Sequence, residues 1–141
     1  MKNMFDFLKN SPKQSLEEVI FKALPVGNIT ADVRVAVTDS LSTLFKADTG
    51  VGFLLSRQVE LSPECLFSLK VSIIIFYKLL DGIEFPKEIT DAEWKNMVVE
   101  QDESALTSAM GKISLLIGEI TRTTSDSALI TPPGIGKNLK G

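Results

Sequence analysis

Most apolar positions of this chain recur at helical spacing. Leu16, Val19, Ile20, Ala23 and Leu24 fall at i, i+3, i+4, i+7 and i+8, so on a helix they would share one face. Ser15-Leu16-Glu17-Glu18 has the form of a capping box at its start, and Pro25 with Gly27 closes the pattern. Over residues 33–45 two patterns compete. Val33, Val35 and Val37 alternate as in a half-buried strand, while Val33, Val37, Leu41, Leu44 and Phe45 line a helical stripe behind Thr30 or Asp32. The stripe is the longer of the two, and the reading taken is helix. Gly50 and Gly52 predict a break between Asp48 and Phe53, with a further helical piece through Val59.

Ser62-Pro63-Glu64 has the composition of a helix start, and Asp81-Gly82 that of a stop. Between them Leu66, Leu69, Ile73, Phe76, Tyr77 and Leu80 form one stripe, and Val71, Ile74, Ile75 and Leu79 fill much of the remaining circumference. A helix apolar nearly all round is a buried one, so residues 63–81 are expected at the centre of the fold. Thr90-Asp91-Ala92-Glu93 is a second capping box, opening a short surface helix with Ala92, Trp94, Met97 and Val98. The last helix, from about Ser104 to Thr121, carries Leu106, Ala109, Met110, Ile113, Leu116, Ile117 and Ile120 on a seam just over two heptads long. Gly111 and Gly118 lie on another side of it. Each interior glycine costs a helix about 1 kcal/mol relative to alanine, so the pair marks a close approach by another backbone.

These elements predict an all-α fold, a compact bundle of five or six helices. The expected organisation is an N-terminal arm (1–13) carrying Phe5, Phe7 and Leu8, a helical domain (14–121), and an extended or flexible tail (122–141) rich in Ser, Thr, Pro and Gly. At 141 residues a single self-sufficient core is feasible. The apolar content is high, at 44% with a mean hydropathy of +0.17. The most apolar stretch, Cys65 to Leu80, is 16 residues long and contains Lys70 and Lys78, whereas a spanning helix needs about 20 apolar residues. No transmembrane span is expected. The N-terminus lacks the apolar run of a signal peptide, so the location expected is cytoplasmic, and Asn28-Ile29-Thr30 is a chance glycosylation match.

Charge narrows the partners. Fifteen Lys and Arg against 18 Asp and Glu give −3 and a pI near 5.0, the wrong sign for a chain that neutralises phosphates, so nucleic acid is not expected. Residues 81–103 hold eight acids and two lysines, a net −6, which leaves +3 elsewhere. That cluster is read as a solvated face. A divalent metal site there lacks a completing shell.

Candidate chemistry is sparse. There is no histidine, which removes Ser-His-Asp triads, Cys-His pairs, HExxH zinc sites and haem on a proximal His. The single cysteine, Cys65, cannot close a disulfide within the chain. Cys65, Lys70 and Tyr77 have no identifiable activating partner. Gly134-Ile135-Gly136-Lys137 matches only the end of a phosphate-binding loop, with Thr131 and Asn138 in the wrong places and four residues of sequence after it. Asp48-Thr49-Gly50 is the triplet used by aspartic proteases, and Leu116-Ile117-Gly118 has the form of their apolar-apolar-Gly segment. The helical patterns around both count against it, and a dimeric hydrolase using Asp48 is a remote alternative.

The function expected is therefore non-enzymatic and without cofactor: a self-associating interaction or assembly protein whose arm and tail contact neighbouring subunits or a partner. The partner is protein, in the first place a second copy. The candidate interface is Leu106, Met110, Gly111, Ile113, Leu116, Ile117, Gly118 and Ile120. The alternative is a helical-bundle binder of an apolar small molecule or lipid, which predicts an apolar pocket of several hundred Å³.

Overall fold

A computed structural model describes residues 2–24, 33–62, 67–125, 128–136 and 139. It is an antiparallel sheet with two helices on one face, and this overturns the all-α expectation. The strands are β1 (Lys13–Ala23), β2 (Arg34–Ala47), β3 (Gly50–Ser62) and β4 (Phe67–Lys78), followed by α1 (Asp91–Gln101) and α2 (Glu103–Ser125). The spatial order is β1-β4-β3-β2, all neighbours antiparallel.

Each helical misreading has a local cause. In β1 the register shifts between Leu16 and Glu18. The extra residue puts Leu16 opposite Ile73 and Val19 opposite Val71, on one face of the sheet. A bulge thus turns the strand period of two into an apparent i, i+3 spacing, and Ser15-Leu16-Glu17-Glu18 caps nothing. In β2 a second shift, between Thr43 and Phe45, extends the false stripe, and the Val33-Val35-Val37 alternation was the correct signal. The helical piece expected through Val59 is β3. The central helix expected over 63–81 is β4, flanked by β1 and β3: Leu69, Val71, Ile73, Ile75 and Tyr77 are buried on its helix side, and the apolar run is unbroken because Ile74 and Phe76 are half-buried on the other. A short unbroken apolar run has no period to separate the two cases. Pro63 and Glu64 of its start signal, with Cys65 and Leu66, lie outside the described residues.

Glycine punctuation has structural counterparts. Asp48 and Thr49 form the two-residue turn of the β2–β3 hairpin, closed by Ala47 opposite Gly50, whose φ is 153°. Gly52 leaves room for the ring of Phe45 from across the pair. Gly82, at φ 76°, turns the chain after β4.

The helices after Asp81 follow the capping and periodic signals. Thr90 accepts from the Glu93 N–H while the Glu93 carboxylate accepts from the Thr90 N–H, a complete capping box. The Thr90 N–H, which contributes most, and the Thr90 hydroxyl, which also donates to the carboxylate, hold the exposed Glu93 carboxyl below its usual range. α1 lies at the surface with one face turned inward: Trp94, Met97 and Val98 are buried, with Trp94 against Phe7 and Phe85. α2 lies over β3 and β4. Leu106, Met110, Ile113 and Ile117 enter the core with Phe53, Leu55, Val71 and Ile75 of the sheet. Each such side chain contributes roughly 1.5–3 kcal/mol by leaving water. Tyr77 donates to Asp102 at 2.6 Å beneath the α1–α2 joint. Burial first, and that carboxylate second, push its phenol well above the ordinary range.

Both termini fold back on their own chain. Met4 and Leu8 are buried, Lys9 N–H donates to the Lys78 carbonyl and Leu80 N–H to that of Phe7, and Gln101 accepts from the Met4 N–H. Among the described residues no helix is long and apolar enough to cross a membrane.

Candidate polypeptide-binding surfaces

Residues 129–136 of the tail run between α2 and the β2–β3 pair. The centre of their contact is Arg57, paired across the strands with Asp39 and buried, at 1% and 4% exposure. Arg57 Nε donates to Asp39 Oδ1 at 2.7 Å and Nη2 to Oδ2 at 2.8 Å. Its other three N–H groups go to the tail: Nη1 to the Thr131 hydroxyl and the Pro132 carbonyl, and Nη2 to the Gly134 carbonyl at 2.9 Å. All five guanidinium donors are used. Asp39 Oδ2 also accepts from the Gly136 N–H. From α2, Ser114 donates to the Thr131 carbonyl and Thr121 accepts from the Leu129 N–H, both at 2.7 Å.

The residues proposed from sequence as an interface divide between two environments. Leu106, Met110, Ile113 and Ile117 are fully buried under the sheet, and Leu116 and Ile120 pack partly against the same core. Gly111 and Gly118 face the tail, where a Cβ would lie 4.0 Å from the Pro133 carbonyl and 3.7 Å from that of Leu129. The backbone approaching the two glycines is the chain's own. The sequence reading missed Arg57 and Asp39, because nothing local connects an arginine to an aspartate 18 positions earlier; only hairpin register does.

A different surface lies at β1. Among the described residues it pairs with β4 alone, and most of its length is exposed, with Leu16 at 57% and Ile20 at 50%. Leu16 and Val19 point to the helix side of the sheet, and Ile20, opposite Lys70, to the other. On that open face Phe45 stacks on Phe76 with centroids 5.7 Å apart, beside half-buried Leu54 and Ile74. A long edge strand with apolar side chains on both faces is a template for another strand.

Two further features bear on the sequence readings. A cleft of about 620 Å³ between the arm and β4 is lined by Phe5, Leu8, Phe76 and Leu80 together with Lys9, Lys13 and Lys78. Asp48 lies exposed at the hairpin tip. Among the described residues no three carboxylate or thiol groups gather as metal ligands.

The fold has a counterpart among solved proteins. A SecB-like chaperone of Mycobacterium tuberculosis, in complex with a ChAD peptide from the HigA1 antitoxin, superposes over 92% of this chain and 88% of its own, with a TM-score of 0.60 at 8% identity. A protein of unknown function from Streptococcus agalactiae aligns over 86% of this chain and 98% of its own at 13% identity, with a TM-score of 0.37 that carries no argument. No protein-family profile and no curated protein sequence matches the chain. The chain is thus similar in fold, and in fold alone, to a SecB-like chaperone.

Proposed function

We propose that this chain is a non-enzymatic protein-binding module that adds extended polypeptide segments to its β1 edge, a second copy of the chain among them. The observation that carries the reading is β1 itself: an eleven-residue strand with Leu16, Val19 and Ile20 exposed and one side unpaired by the described residues. Backbone pairing along such an edge supplies affinity, and the apolar side chains on each face supply preference for apolar partners. The peptide carried by the SecB-like chaperone of the same fold supports this reading.

Two measurements test it. Light scattering across a concentration series should show association beyond the monomer, and a strict monomer at high micromolar removes the self-association part. The chain should also delay aggregation of a chemically unfolded model protein, with the effect lost in Leu16→Lys/Ile20→Lys. Equal protection by that variant overturns the β1 assignment.

The cleft of about 620 Å³ favours a second reading, an amphipathic anion such as a fatty acid, with the lysines at the head and Phe5 and Phe76 along the chain. Calorimetric titration with laurate tests it, and no heat above the buffer control removes it.

A further inference from the structure

The contact between the tail and Arg57 has the features of a ligand in its site. Among the described residues, the hydrogen bonds that α2, Arg57 and Asp39 make to residues 129–136, apart from those to the Thr131 hydroxyl, go to main-chain atoms: the N–H of Leu129 and Gly136, and the carbonyls of Thr131, Pro132 and Gly134. The side chains divide: Leu129 and Ile135 pack partly against the core, while Ile130 is 84% exposed and Pro132 and Pro133 also face water. Thr131 is enclosed, its hydroxyl held between Arg57 and Ser114.

A tail serving only as packing has no need of such an anchor. A buried ion pair gives no stability that apolar residues of similar volume would not, because both charges must be stripped of water. What it supplies here is a fixed fork of donors aimed at carbonyl oxygens. The space also exceeds what the tail fills: a groove of about 480 Å³ runs beside it, floored by Gly111, Ser114 and Gly118 and walled by Leu115, Ile130 and Pro133. Ordinary side chains at the two glycines would have strengthened the helix and narrowed that groove.

We infer that the cleft between α2 and Arg57–Asp39 is a second polypeptide site, distinct from the β1 edge, which the tail occupies in cis and which accepts an extended segment of another polypeptide in its place. The segment that fits is proline-tolerant, carries Ser or Thr at the position of Thr131, and is free of Pro where Leu129 and Gly136 donate. Because the hydrogen bonds are to the main chain, the exposed positions of Ile130, Pro132 and Pro133 vary freely, while apolar residues are kept where Leu129 and Ile135 pack on the core.

The test uses the full chain with a protease site inserted between Asp126 and Ser127. After cutting the folded protein, a fluorescein-labelled peptide of residues 128–141 is added and anisotropy followed. The expected result is exchange of the cut tail for labelled peptide, with circular dichroism unchanged. Peptide N-methylated at Gly136 should bind roughly tenfold or more weakly, the loss of one hydrogen bond to a charged acceptor, while Ile130→Ser peptide binds as well as the parent. Ser114→Ala in the protein, which favours the helix, should weaken binding several-fold. Unfolding on cutting, a tail that never exchanges against excess peptide, or equal affinity for the N-methylated peptide would each overturn the inference. None of these outcomes bears on the β1 edge.

Discussion

Replacing Arg57 by methionine separates the worth of the ion pair from that of the tail contacts. Methionine fills most of the volume of the arginine stem but has no N–H donor, so the two bonds to Asp39 and the three to the tail vanish together. The Asp39 carboxylate stays buried without the guanidinium. Removing one partner of a buried pair costs about 3–5 kcal/mol. Against a total stability of roughly 5–15 kcal/mol this moves the urea midpoint far without changing the slope. Trp94, the only tryptophan and fully buried, reports the transition by fluorescence. The double variant Arg57→Met/Asp39→Leu removes the buried carboxylate as well. The tail carbonyls it leaves lie at the rim, where water replaces the donor, so its cost should fall to about 1–2 kcal/mol. A single variant losing less than about 1 kcal/mol, or a double variant no milder than the single, would refute the argument that desolvated charge dominates this site.

Three other outcomes are expected. The folded chain keeps the Tyr77 proton that the unfolded chain releases, so this contribution is complete below the unfolded pKa of about 10 and is lost as pH rises above it; Tyr77→Phe should flatten the alkaline limb of a stability–pH curve. As the only tyrosine, Tyr77 should also show no tyrosinate absorbance until the chain unfolds. Thr90→Ala breaks the capping box and should cost about 0.5–2 kcal/mol in urea denaturation, with Thr90→Ser restoring most of it. Gly50→Ala imposes a left-handed φ on alanine and drives its Cβ into the Tyr77 carbonyl, so a loss above roughly 2 kcal/mol is expected, measured as the shift in thermal midpoint.

How far the sequence speaks differs between the halves of the chain. From Asp81 onward the signals are local and sufficient. The Thr90–Glu93 box acts within one turn, and the seam of α2 repeats long enough that no strand could satisfy it. Gly82 and the Asp48–Gly50 turn were legible as breaks for the same reason, since backbone conformation is set within a few residues. The candidate interface was legible only as a periodic pattern. It held the core-facing residues of α2 and the two glycines that meet the tail, and gave no means of telling the two roles apart.

Before Asp81 the pattern was ambiguous, and tertiary pairing decided. Residues 67–80 are apolar enough for a buried helix or a central strand; β1 and β3, paired along either side of β4, make them a strand. The bulges at Glu17 and Leu44 hid the strand period, and they exist only relative to a neighbouring strand. Composition and local capping belong to the sequence alone: a chain without histidine, two closing helices, and a polar tail. The fold class, the exposure of β1 and the meeting of Arg57, Asp39 and the tail belong to the tertiary structure. Each depends on registers between residues far apart in the chain, and no local propensity encodes them.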